Sequence, residues 1–418
     1  MTNEKLNIAI FMWFNKEIND YAEINYKLNK IYCDKYGYSI IKSNERRCPK
    51  RKFHWERIPL ILEHFDKYDY LVWIDADAHF YIDSPAIENV IHSYPDKLCI
   101  FSGDTDVPPE KSLTCEINSG FFIIKNSEET KSILIKWLTD EKLFNSHELE
   151  KSIFGSGAWN DQAVLRLMYS KNILDIQNKS IIIPYGILQH FNEKHKLTKN
   201  IYGLTDKPFL YHCTNGDNML FKNRVKSSKD YYLNIQLKKY RSFINKNIQL
   251  EKEVINDILL NCENKKMLVF GLGYDSELWY NCTNKNTFFV EDNKDYIELN
   301  KNIIPNENII FYDYHGMTVS KSIQLIKDNY TINYEMPKKI IENGPFGIIL
   351  IDGPNGNGNN CPGKLIPVLW SKKLTQKGTI IYIDDANREL EKKLVNKYFA
   401  NIPKKYFKQR LGTMKMVM

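Results

Sequence analysis

Short apolar runs rich in β-branched and aromatic residues alternate along nearly the whole chain with stretches whose apolar residues recur every three or four positions. Runs of the first kind suit strands buried on both faces and stretches of the second suit amphipathic helices, so the alternation predicts parallel sheets covered by helices. In the first half, Asn7 to Phe14, Tyr70 to Ile74, Leu98 to Phe101 and Gly120 to Ile124 read as strands. Tyr21 to Tyr36, Arg57 to Phe65, Ser127 to Leu138 and Asp161 to Tyr169 read as helices. From Lys222 to about Asn247 the chain turns polar and Lys/Asn-rich, with no strand-like run. A second series then starts afresh: helix Glu251 to Leu260, then strands Met267 to Phe270, Thr287 to Val290, Ile309 to Phe311, Gly347 to Ile351 and Thr379 to Ile383. The restart predicts two α/β domains, residues 1–245 and 246–418. A chain of 418 residues also exceeds what one hydrophobic core usually serves.

Composition adds limits. Hydrophobic content of 43% and aromatic content of 13% exclude disorder, and 26 Tyr with 7 Trp offer flat faces for sugars and bases. The net charge of +7, from 58 basic and 51 acidic residues, suits an anionic nucleotide ligand without demanding a nucleic acid. The densest basic run is Arg46, Arg47, Lys50, Arg51 and Lys52, followed by Phe53, His54 and Trp55. It reads either as a phosphate-holding segment or as a solvated loop. No run of about 18 apolar residues exists and the amino terminus lacks the marks of a secretion signal, so a soluble cytoplasmic protein without a membrane span is expected. The eight cysteines form no CxxC pair, which points to free thiols rather than a zinc site or a disulfide framework.

The strand Tyr70 to Ile74 runs directly into Asp75-Ala76-Asp77. Alternate residues of an extended chain point the same way, so both carboxylates can reach one divalent cation at the strand end. A nucleotide sugar needs such an ion, because bond cleavage leaves negative charge on its diphosphate. Further segments follow in order: Asn118-Ser119-Gly120-Phe121-Phe122-Ile123-Ile124-Lys125-Asn126, Trp159-Asn160-Asp161-Gln162-Ala163, and Tyr211-His212-Cys213. Together with Asp75-Ala76-Asp77-Ala78 they resemble the family of fungal galactosyl/mannosyl and plant xyloglucan xylosyl transferases, over about residues 5 to 220. The resemblance implies a retaining, manganese-dependent enzyme of the GT-A fold, with Asp75, Asp77 and His212 on the metal. Asn118 and the Asp161-Gln162 pair would line the sugar and acceptor side, with Asp161 and Gln162 as catalytic candidates. Asp161 also stands where a helix cap would, ahead of Ala163, Val164, Leu165 and Leu167.

In the second half, Met267-Leu268-Val269-Phe270 runs into Gly271-Leu272-Gly273. Glycines there let the backbone turn tightly and approach a ligand; a dinucleotide fingerprint would want a third glycine where Ser276 stands, which favours S-adenosylmethionine (SAM) over NAD. Glu291, about 20 residues on, is placed to meet ribose hydroxyls. The stretch Val269 to Ser276, Glu291-Asp292, Ile351-Asp352-Gly353-Pro354 with Pro362-Gly363-Lys364, and Ile383-Asp384-Asp385 resemble the plant glucuronoxylan 4-O-methyltransferase family, over about residues 250 to 418. The resemblance implies a Rossmann-like SAM-dependent methyltransferase. The cofactor would lie against Gly271, Gly273, Asp275, Ser276, Glu291, Asp292 and Asp384. Methylating a hydroxyl needs a group to take its proton, and Asp352 is the candidate base, with Asp384 and Asp385 as alternatives or as holders of a metal.

These readings combine into a bifunctional glycan-modifying enzyme whose partners are a nucleotide sugar and a glycan acceptor. One alternative makes the first half a non-catalytic glycan binder that serves the methyltransferase; the intact Asp75, Asp77 and His212 argue against it. Another, nucleic-acid modification, would use the Arg46 to Lys52 run but leaves the first half's motifs without a role.

Overall fold

The computed structural model describes residues 5–104, 117–144, 160–184, 186–190, 209–213, 218–314, 316–328, 334–407 and 412–418. The chain divides into two compact units, Met1–Asp230 and Tyr231–Met418.

Nine strands of the first unit are described: β1 (Ile8–Trp13), β2 (Ser39–Ser43), β3 (Tyr70–Ile74), β4 (Ala78–Phe80), β5 (Cys99–Gly103), β6 (Ile117–Lys125), β7 (Ser180–Ile183), β8 (Gln189–His190) and β9 (Leu210–His212). Six of them form a mixed sheet in the order β2-β1-β3-β6-β5-β7, in which β6 alone runs against its neighbours. Alternation along each strand builds two cores. Ile8, Ile10, Met12, Val72 and Ile74 face one, while Ala9, Phe11, Trp13, Leu71 and Trp73 face the other. A central strand with both faces covered has no polar alternation to show, and Tyr-Leu-Val-Trp-Ile of β3 is accordingly buried throughout.

Helices cover both faces: α1 (Asn19–Tyr36), α2 (Arg57–Glu63), α3 (Ile87–Ser93), α4 (Glu128–Thr139) and α5 (Asp161–Ser170) are the longer ones. The remaining three strands make a small sheet, β4-β9-β8, just beyond the end of β3. The polar stretch after Lys222 is no loose connection: α6 (Asn218–Lys239) runs through it, and the division at Asp230 falls inside this helix. Its Leu233 and Leu237 pack against the core of the second unit, and its Tyr232 donates to Glu263. The expected boundary at 245/246 therefore lies within that unit.

The second unit holds β10 (Met267–Phe270), β11 (Thr287–Glu291), β12 (Ile309–Phe311), β13 (Ile348–Ile351), β14 (Ile380–Ile383), β15 (Lys404–Tyr406) and β16 (Met414–Val417). Their order is β12-β11-β10-β13-β14-β16-β15; the first five are parallel and β16 runs antiparallel to both neighbours. Winding outward from β10 in both directions puts helices on both faces, among them α7 (Lys252–Asn261), α8 (Ser276–Cys282) and, on the other side, α9 (Leu365–Leu374) and α10 (Glu389–Tyr398). The order reverses between β10 and β13. A crevice opens beyond the strand ends at such a point.

Candidate functional site

Asp75 and Asp77 sit in the tight turn between β3 and β4, where the Ala78 amide donates to the Asp75 carbonyl at 3.0 Å. Two buried asparagines of α1 hold the turn from below. Asn25 donates to the Ala76 carbonyl at 3.0 Å and Asn29 to the Ala78 carbonyl at 3.1 Å, while the Phe80 amide donates back to Asn29 at 2.9 Å. His212 closes the site from β9, directly opposite Ala78 in the β4–β9 ladder. Its Nε2 lies 3.3 Å from Asp77 Oδ1 and 3.9 Å from Asp75 Oδ2. One donor atom from each of the three lies within 4.8 Å of the others. Two half-buried carboxylates and a buried imidazole are a donor set that manganese and similar divalent ions accept.

The surroundings are equally specific. Asp75 Oδ1 accepts from the Trp73 indole at 2.7 Å and faces Arg57 at 3.3 Å, which leaves Oδ2 turned toward His212. Gly120 on β6 makes the space: a Cβ there would lie 2.3 Å from His212 Cε1 and 2.9 Å from both Asp75 Oδ2 and Asn118 Oδ1. Burial would lower the His212 pKa, but Asp77, Asp75 and Asp104 outweigh it and raise it above the usual value.

The residues expected on the sugar side occupy the adjoining wall. Asn118 accepts from the Gly120 amide at 2.8 Å and donates to Asp104 at 3.3 Å. Gln162 accepts from the Ser119 amide at 2.8 Å and donates to Asp104 at 3.3 Å, and Arg166 pairs with the same carboxylate. Asp161 is the first residue of α5, not its cap: Asn160 caps the helix, accepting from the Gln162 amide at 2.9 Å. Asp161 is only 1% exposed and ion-paired with Arg57 at 3.1 Å. Burial still raises its pKa despite the opposing pull of Arg57. Arg57 thus joins Asp75 to Asp161, and it also donates to the Ser119 and His54 carbonyls. Trp159 lies outside the described residues.

The basic run borders an open cavity of about 650 Å³ lined by Arg46, Pro49, Arg51, Lys52, Phe53 and His54. Several of its cations already have work within the fold. Arg46 pairs with Glu56 at 3.0 Å, Arg47 with Glu63 at 2.6 Å, and Arg51 donates to the Leu138 carbonyl at 2.7 Å.

In the second unit the expected cofactor residues gather at the strand-order reversal. Gly271 has φ of +111°, and a Cβ on it would lie 3.0 Å from the Gly353 amide, so the ends of β10 and β13 touch backbone to backbone. The turn is braced internally: Gly273 donates to Ser276 Oγ at 2.9 Å, and Asp275 accepts from the Trp279 indole at 2.7 Å. Glu291 accepts from the amides of Leu272 at 2.6 Å, Asn293 at 2.7 Å and Asp292 at 3.0 Å. A carboxylate has roughly four acceptor positions, so about one is left for a further donor. Burial pushes the Glu291 carboxyl up to about 7 against the pull of those amides, and burial likewise raises Asp292. Asp352 is pushed well above the carboxylate range by burial and by Asp275, with Lys364 opposing and Asp384 reinforcing the shift. Asp384 accepts from Thr413 at 2.6 Å; Asp385 pairs with Arg388 at 2.9 Å and Lys364 at 3.3 Å. Among the described residues, Asp352, Asp384 and Asp385 do not converge as a metal-binding group; only Asp75, Asp77 and His212 do. The seven described cysteines form no disulfide, and Cys115 lies outside the described residues. No helix among the described residues is long and apolar enough to cross a membrane.

A mixed α/β sheet with a carboxylate pair at the end of a central strand, facing a histidine from a small second sheet, defines the class: a GT-A-like nucleotide-sugar transferase domain. Residues 27–224 match the family model for nucleotide-diphospho-sugar transferases. The chain is similar to Glycosyltransferase 6 of Arabidopsis thaliana, with 25% identity over 125 residues, 29% of this chain and 28% of that protein. It is also similar to Protein IRX15-LIKE of the same plant, with 24% identity over 169 residues, 34% of this chain and 53% of that protein. The chain thus spans about half or less of the length of these curated relatives. Among solved structures, a glycosyltransferase involved in the glycosylation of the major capsid of PBCV-1 aligns with a TM-score of 0.40 and 16% identity, over 54% of this chain and 99% of that one.

Residues that sequence reasoning did not single out are Arg57, Trp73, Asp104 and Gln189. Trp73 stands two positions before Asp75, so period-2 alternation along β3 could have flagged it; the two carboxylates themselves are brought together by the turn after β3 and not by an extended strand end. The other three come from distant segments and carry no local signal.

Proposed function

We propose that the first unit transfers a sugar from a nucleotide-sugar donor to a glycan acceptor, with a divalent cation held by Asp75, Asp77 and His212. The single observation that carries this reading is the convergence of those three side chains, from the β3–β4 turn and from β9, inside a nucleotide-sugar transferase domain. When bound, manganese or a similar ion neutralises the charge that develops on the departing diphosphate. The protein's own part is to aim Asp75 Oδ2, Asp77 Oδ1 and His212 Nε2 at one point, and to keep Asn118 and Gln162 oriented through Asp104 so that they can meet sugar hydroxyls.

The same proposal gives the second unit a SAM-dependent O-methylation of a sugar hydroxyl. It is supported by the doubly wound sheet, by the braced Gly271 to Gly273 turn at the order reversal, and by the acid group of Asp352 beside it. SAM, when bound, supplies an electrophilic methyl on a sulfonium. Asp352, in its ionised form, takes the hydroxyl proton as the new C–O bond forms and the methyl–sulfur bond breaks, and the two domains act in succession on one glycan. The test is to incubate the full chain with nucleotide sugars, manganese and SAM, and to read glycan products by mass spectrometry. Added sugar mass that needs the metal, and methyl mass that needs SAM, are expected. Methyl mass without any donor consumption would favour the non-catalytic glycan-binding alternative for the first unit.

A further inference from the structure

Gln189 is wholly buried on β8, and its side chain joins the two sheets of the first unit. Its Nε2 donates to the carbonyl of Gly103, at the end of β5 in the main sheet, at 3.3 Å. Its Oε1 lies 2.9 Å from Nδ1 of His212 on β9. A carbonyl oxygen such as that of Gly103 only accepts, so the amide nitrogen of Gln189 must face it and the amide oxygen must face the imidazole. An amide oxygen also only accepts, so His212 Nδ1 must carry a hydrogen. The lone pair available for a cation is then on Nε2, the atom that faces Asp77 at 3.3 Å and Asp75 at 3.9 Å.

We infer that Gln189 is the positioning residue of the metal centre: it fixes the His212 tautomer and ring orientation that present Nε2 to the ion. The inference rests on the metal reading above. It also explains a buried polar side chain on a two-residue strand, where an apolar residue would otherwise suffice. Outer partners of metal-bound histidines are typically worth 10–100-fold in metal affinity.

Two substitutions in the full chain separate this role from simple packing. Gln189→Met keeps the length and removes both hydrogen bonds. Gln189→Glu keeps an acceptor for Nδ1–H and loses the donor to Gly103. Manganese is titrated into each protein and into Asp77→Asn, with free manganese read by electron paramagnetic resonance and no donor or acceptor present. The zinc-loaded wild type is then examined for the histidine tautomer by long-range proton–nitrogen correlation. Expected are a loss of about tenfold or more in manganese affinity for Gln189→Met, retention within about threefold for Gln189→Glu, and Nδ1–H in the wild type. Wild-type affinity in Gln189→Met, or equal losses in Met and Glu variants, would overturn the inference while leaving the metal site standing; a proton on Nε2 in the loaded protein would overturn it and also remove His212 Nε2 from the ligand set. A wild type that binds no manganese, or binds it independently of Asp77, would overturn both.

Discussion

Single atoms decide what the carboxylate turn can do. Gly120 illustrates this, because its missing Cβ is the space that lets His212, Asp75 and Asn118 meet. Gly120→Ala should force that cluster apart, costing about 1–3 kcal/mol of stability and at least tenfold in manganese affinity. Thermal unfolding and a manganese titration check both, and normal affinity would show that the three groups need not meet. Arg57 is the second such residue. It is 5% exposed and pairs with Asp161, itself 1% exposed, so Arg57→Leu leaves an uncompensated buried carboxylate. A loss of about 3–5 kcal/mol is expected in denaturant unfolding, with much of it recovered in Arg57→Leu/Asp161→Leu, where neither charge remains. Asp161→Asn should retain part of the pairing and cost less. No recovery in the double variant would mean that the Arg57 bonds to Ser119 and His54, rather than the ion pair, dominate.

At the scale of elements, β1, β3, β10, β13 and β14 were legible because each is a short apolar run that needs no polar alternation when both faces are covered. Ser39 to Ser43 was not: β2 lies at the sheet edge, carries Lys42 and is only half covered, so its pattern is mixed. The short strands β4, β8 and β9 hold two or three residues each and have no period to detect, yet they carry Gln189 and His212. The carboxylate turn, the Gly120 segment and the histidine were readable as motifs. Asp104 and Gln189 were not, since their meaning arises only when β5, β8 and β9 are brought together. The Gly271 to Gly273 turn is the element on which the proposed methyl transfer depends. At Gly273 an added Cβ would meet only Asp275 Oδ1, at 3.4 Å, so the residue borders open space. Gly273→Val should therefore fold and lose SAM binding in calorimetry, whereas Asp352→Asn should keep SAM affinity and lose methyl transfer. Unchanged SAM affinity in a folded Gly273→Val protein would remove the site from this crevice.

The chain divides into two units, each with its own main sheet and its own pair of cores, and α6 is the piece of chain through which one becomes the other. Tyr232 is fully buried with its hydroxyl donating to Glu263 at 2.8 Å, and Leu233, Leu237 and Tyr240 pack in the core cluster that includes residues of α7 and α8. A fragment of residues 246–418 lacks that layer, so it should melt at a lower temperature than a fragment of residues 218–418; equal melting temperatures would show that α6 adds nothing to the second unit. The central claim concerns the first unit and is tested most directly by donor turnover. Release of nucleoside diphosphate from a nucleotide sugar is measured for the full chain as manganese is titrated, beside Asp77→Asn. Turnover that rises with manganese in the wild type and falls about a thousandfold or more in Asp77→Asn, with methyl transfer intact, is the predicted result. Metal-independent turnover, or an Asp77→Asn protein as active as the wild type at limiting manganese, would contradict it.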